Sequence, residues 1–104
     1  GISDAASLAA ATDKLVQQIA ANNGLTQTGA PRSLQVGGQP ASARDLRGTS
    51  AVAANGTPQP EHDWLVTVAR PDGDLDFLIF VAPESDFATL QPLFNSMLAS
   101  FKPE

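Results

Sequence analysis

The apolar positions along the chain change period twice, from helical spacing to β patterning and back, and each change marks a new kind of element. Between residues 3 and 23, Leu8, Ala11, Leu15, Val16 and Ile19 recur at helical spacing and form one narrow stripe. Six further alanines (5, 6, 9, 10, 20 and 21) add helix propensity without bulk. Ser3 or Asp4 caps the first turn, and Asp4 also complements the positive end of the helix dipole. Asn22-Asn23-Gly24 ends the helix, since Gly24 can take the left-handed conformation without a Cβ clash.

From residue 25 the pattern becomes short β segments broken by turns. Residues 25–28 predict a brief strand that Gly29-Ala30-Pro31 interrupts, and residues 32–36 alternate, with Leu34 and Val36 on one side. Gly37-Gly38 is a two-residue hairpin signal. Residues 41–47 form the return strand, where Ala41 and Ala43 leave room for close packing under a helix. Residues 48–60, rich in Ala, Gly, Thr and Pro, predict a long and weakly structured connection.

The strongest strands are residues 64–70 and 75–82, separated by the turn Pro71-Asp72-Gly73-Asp74. In the second, Leu75, Phe77, Ile79 and Val81 line one face while Leu78, Phe80 and Ala82 line the other. A strand apolar on both sides is expected to be central, with helices or a partner subunit over each face. Pro83 closes it. Residues 86–101 then carry Phe87, Leu90, Phe94, Met97, Leu98 and Phe101 in steps of three and four, a closing helix whose stripe belongs to the core. Ser85 or Asp86 is its natural cap. Pro92 would break that helix, so residues 86–89 are expected to form a separate turn, with the main helix starting near Gln91. The sum is a single α+β domain over residues 1–104: an N-terminal helix, an antiparallel sheet of four to five strands with a central hairpin, and a C-terminal helix packed on the sheet.

Composition narrows the chemistry. Of 44 apolar residues 17 are alanine, leaving 27 larger ones, enough for one modest core. A net charge of −5 disfavours nucleic acid and anionic membrane as partners. The absence of cysteine excludes disulfides, a thiolate nucleophile and cysteine-based metal sites. No apolar run is long enough to span a membrane, and no signal-peptide pattern precedes Ser3. The chain opens almost directly on a helix cap, as an excised domain or a processed product would.

His62, the single histidine, lies in Glu61-His62-Asp63. It is the one candidate general base or metal ligand, against the plainer expectation of a solvated loop histidine beside two acids. Asp72, Asp74 and Asp76 alternate as at the start of a calcium loop, but the closing glutamate and helical flanks are missing, so they are expected to solubilise a hairpin tip. No serine lies in a Gly-x-Ser-x-Gly elbow, and neither Gly37-Gly38 nor Gly48 begins a phosphate-binding loop. Arg32, Arg44 and Arg47 are expected to be scattered solubilising charges rather than an anion cluster. Asn55-Gly56-Thr57 matches a glycosylation acceptor and is first of all a turn. No catalytic, cofactor-binding or metal-binding constellation emerges.

Four runs, residues 64–73, 77–87, 90–101 and 36–41, together resemble the domain found C-terminal to the protease in some bacterial zinc metallopeptidases related to the CAAX prenyl endopeptidase. The strand ending in Ala82-Pro83-Glu84 and the helix ending in Ser100-Phe101 also resemble small α+β domains of PsbP-like shape. The resemblance implies an extracytoplasmic accessory domain with no cofactor. It also implies that the domain serves a protein partner or the peptidase domain of the same parent chain. The family's His-Glu-x-x-His mark has no counterpart here, because His62 is alone and Asp63 follows it. Three functions compete: a non-catalytic accessory module, a stand-alone PsbP-like ligand- or lipid-binding module, and a small hydrolase or metal enzyme relying on His62. A homodimer is left open, and one formed through the sheet would count against a binding pocket on that face.

Overall fold

The computed structural model describes residues 1–50 and 58–102. Its first helix, α1 (Ala5–Asn23), starts where Asp4 accepts the Ser7 amide at 2.8 Å and the Ser7 hydroxyl accepts the Asp4 amide at 3.1 Å. This reciprocal capping satisfies two amides that the first turn leaves free. Gly24 ends α1 with φ 64°, a conformation that costs a glycine nothing.

Four strands follow: β1 (Thr26–Val36), β2 (Gln39–Ser50), β3 (Gln59–Ala69) and β4 (Leu75–Pro83). They form one antiparallel sheet in the order β1-β2-β3-β4, and α2 (Glu84–Ser100) completes the chain. Gly37 and Gly38, both at positive φ, close the β1–β2 hairpin, with Val36 paired to Gln39. The expected α+β architecture is present, with the C-terminal helix packed on the sheet.

The two helices cover opposite faces. Side chains alternate along β3, so Trp64, Val66 and Val68 join Phe80, Phe87, Phe94 and Leu98 in the core beneath α2. Ala41 and Ala43 are in the same core, and their small size lets the helix approach. Leu65 points the other way and meets Val16, Leu25 and Leu46 in a smaller core beneath α1. There Thr12 and Thr67, both fully buried, share a hydrogen bond at 2.7 Å, and the Thr12 hydroxyl also contacts the Leu8 carbonyl at 2.7 Å. Thr12 thus replaces the expected Ala11 at the centre of the α1 stripe. Gly48 lies where α1 hands over to β1: a Cβ there would come within 2.7 Å of the Leu25 side chain and 2.9 Å of the Gly24 carbonyl oxygen.

Several sequence expectations are corrected. Residues 25–36 do not make two strands. Gly29-Ala30-Pro31 is absorbed as a bulge between Thr28 and Arg32, and the ladder to β2 resumes beyond it. Residues 48–50 and 59–60, assigned to a connection, extend β2 and β3, because pairing with a neighbouring strand outweighs weak local propensity. Residues 51–57, including Asn55-Gly56-Thr57, lie outside the described residues.

The closing helix is continuous from Glu84, with Pro92 inside it and Pro83 as its N-cap in place of Ser85 or Asp86. Phe87 and Phe94 are buried on either side of Pro92, and a break there would take one of them out of the core. Met97, expected in the core, is half exposed. The largest correction concerns β4. The strand buried on both faces is β3, every residue of which from His62 to Ala69 is buried, whereas β4 forms an edge. α1 lies over β1, β2 and β3, so Phe77 and Val81 on its side of β4 remain open.

Candidate functional site

Glu61-His62-Asp63 is part of β3, not a loop, and strand alternation separates the histidine from its two acidic neighbours. His62 turns to the α2 face, where its side chain is 5% exposed and its ring stacks on Phe87 with centroids 3.5 Å apart. Its new partners come from elsewhere in the chain. Nδ1 is 2.7 Å from Glu84 Oε2 and Nε2 is 2.7 Å from Asp45 Oδ1. Both ring nitrogens are thus taken by carboxylate oxygens, with the donor and acceptor roles set by the tautomer.

Two arginines complete this network. Arg47 donates to Glu84 and to the Thr28 hydroxyl, and Arg32 reaches Asp45 at 3.5 Å. The Arg47 hydrogen bond, and then that of His62, holds the Glu84 carboxyl below its usual range. The network ties the first turn of α2 to β1, β2 and β3. Asp45 and Glu84 contact opposite nitrogens of the ring, so the three groups do not converge on one point. Among the described residues no group of three or more His, Asp or Glu is arranged to hold a metal ion. His62 is therefore a buried, doubly bound residue rather than a solvated one.

Arg44 also departs from a solubilising role. It lies on the α1 face with its side chain 2% exposed, donating to Asp13 at 2.7 Å and Gln27 at 3.2 Å and fixing α1 to the sheet. Arg32, Arg44 and Arg47 thus divide between two faces and form no common anion site. The acidic turn is held by local contacts: Asp72 accepts the Asp74 amide at 3.0 Å, and Arg70 pairs with Asp72 at 3.2 Å and Asp76 at 3.7 Å.

Asp63 is the residue that sequence reasoning passed over. It faces the α1 side between Leu46 and Val81 and is 4% exposed. Its Oδ1 has no hydrogen-bond partner among the described residues. Desolvation, together with a hydrogen bond to Glu61 and that residue's charge, pushes its pKa up to about 7. A carboxyl placed this way holds a proton near neutrality, a property found at functional sites and in structural pairs alike. Residues 59–63 carry no apolar alternation, so nothing in the local sequence marks Asp63 as a buried strand residue.

Beside α1 and β1 lies an open groove of about 450 Å³, lined by Leu8, Ala9, Pro31, Leu34, Pro40 and Arg44 among others. No described helix is long and apolar enough to cross a membrane. Comparison of the chain with protein-family models, with curated proteins and with solved structures returns no match.

Proposed function

We propose that this chain is a non-catalytic interaction module, an accessory domain of an extracytoplasmic bacterial zinc metallopeptidase that positions or binds a protein partner. The observation that carries the non-catalytic part is the state of His62. The only imidazole of the chain is buried against Phe87 with both ring nitrogens occupied by carboxylates of the same chain, so neither is open to a substrate proton or a metal. Attachment to a metallopeptidase rests on the resemblance of residues 64–73, 77–87 and 90–101.

Two measurements test the proposal. Purified chain incubated with casein and a peptide library, with and without zinc, is expected to release no fragments. Turnover that disappears in His62→Ala would replace this proposal with a His62-dependent hydrolase. The native reading frame upstream of Ser3 is expected to encode His-Glu-x-x-His and an export or membrane segment; a start codon or bare signal peptide there removes the peptidase.

The groove between α1 and β1 favours a second function, a PsbP-like ligand- or lipid-binding module. That function requires an acyl-chain probe to raise the melting temperature by mass action.

A further inference from the structure

We propose that β4 pairs antiparallel with β4 of a second copy of this chain, joining two four-stranded sheets into one of eight strands. The inference rests on the chain being an interaction module and names its partner. It starts from the contrast between the two sheet edges. β1 is blunted by Gly29, Pro31, a bulge and the exposed Arg32, the devices that keep an edge from recruiting another strand. β4 has none of these over residues 75–82: it pairs with β3 without a register shift, and its only proline is its last residue. Among the described residues no strand covers its outer side.

The exposed apolar side chains collect at this same edge. Phe77 and Val81, 51% and 56% exposed, flank it on the α1 face. Leu93 and Met97, 55% and 50% exposed, belong to the other face. One flank of α2, carrying Asn95 and Ala99, borders residues 34–37 of β1 and its turn. Helical geometry turns Leu93 and Met97 to the opposite flank, on the β4 side. Stacking two sheets face to face would cover only Phe77 and Val81. Pairing along the edge brings both sets to the new seam, with α2 of each copy meeting across it.

The strand is also self-complementary. Ile79 is the midpoint of Leu75–Pro83, so a two-fold axis through it gives the longest possible register. Phe77 then faces Val81 of the second copy, Leu78 faces Phe80, and Asp76 faces Ala82. No two carboxylates meet within the paired segment, and each cross-strand pair but that of Asp76 is apolar. An isologous contact of this kind closes on itself and leaves no further open edge at β4.

The chain has no cysteine, so one introduced thiol reports the register. Facing residues of an antiparallel ladder have Cα atoms about 4.5–5.5 Å apart, within the span of a disulfide. Under mild oxidation Ile79→Cys is expected to give a covalent dimer, and Ser33→Cys, exposed on the β1 edge, is expected to stay monomeric. In analytical ultracentrifugation the unaltered chain is expected at twice 10.8 kDa. Val81→Lys is expected to halve that mass while keeping the circular dichroism of the folded chain. A monomer at every concentration, a dimer that survives Val81→Lys, or equal cross-linking at positions 33 and 79 would overturn the pairing. A monomer that captures a different protein along β4 would overturn the second copy as partner and leave the interaction module standing. Peptide hydrolysis by the chain would remove the module and leave the mass measurement unaffected.

Discussion

At pH 8 the Asp63→Asn protein is expected to be more stable than the unaltered chain by a few kcal/mol, and at pH 4 the two are expected to be nearly equal. The folded chain raises the Asp63 pKa from 3.8 to about 7, first through desolvation and then through Glu61. An acid whose folded pKa is raised binds its proton more tightly when folded. Its destabilising effect is therefore absent below the unfolded pKa, grows as pH climbs from about 4 to about 7, and is complete above that. At about 1.4 kcal/mol per pH unit the ceiling is about 4 kcal/mol. Glu84 acts with the opposite sign: its carboxyl is held low, so the stability it contributes is present above about 4.5 and lost as pH falls. Urea unfolding across pH 3–9 checks both, with maximum stability expected in the mildly acidic range. A chain that is as stable at pH 8 as at pH 5 would show that Asp63 does not carry a buried charge.

Leu65→Ala is expected to cost about 2–5 kcal/mol, the range for truncating a fully buried leucine, and to lower the melting temperature by well over 10 °C in a domain this size. Leu65 is 0% exposed and sits among Val16, Leu25 and Leu46, the other three buried members of the core beneath α1. With only three other buried members in that core, few close-packed neighbours can shift to fill the cavity. Amide exchange is expected to report the loss unevenly, with α1 losing protection before α2. The core beneath α2 holds eleven buried residues and does not include Leu65. Thermal unfolding with exchange at α1 amides provides the measurement. A uniform loss across both helices would mean that the two cores unfold as one unit.

Much of the architecture was legible because its signals are local. Asp4 and Gly24 bracket α1, Gly37-Gly38 supplies positive φ to a two-residue turn, and Pro71-Asp72-Gly73-Asp74 breaks the chain between two apolar runs. The stripe of Phe87, Phe94 and Leu98 is a periodicity, and it holds through Pro92 because core packing outweighs the one backbone bond a proline removes. The candidate site was not legible in the same way. His62 meets Asp45 and Glu84, 17 and 22 residues away, and only strand register brings them together. The acids beside His62 in sequence face the other side of the sheet.

By itself, then, the sequence determined the presence of two helices, the hairpin turns and the α+β class, since each depends on residues within a few positions of one another, while its lack of cysteine excludes thiol chemistry. Tertiary structure alone decided which strand is central. β3 and β4 are both apolar on two faces, and nothing within either segment states whether a fifth strand will lie beside it. That choice left β4 at the edge with Phe77 and Val81 open, buried Asp63 in β3, and gave His62 two carboxylates that local sequence does not contain. The physical reason is common to all three: burial and pairing are set by neighbours across the sheet, and those neighbours are distant in the chain.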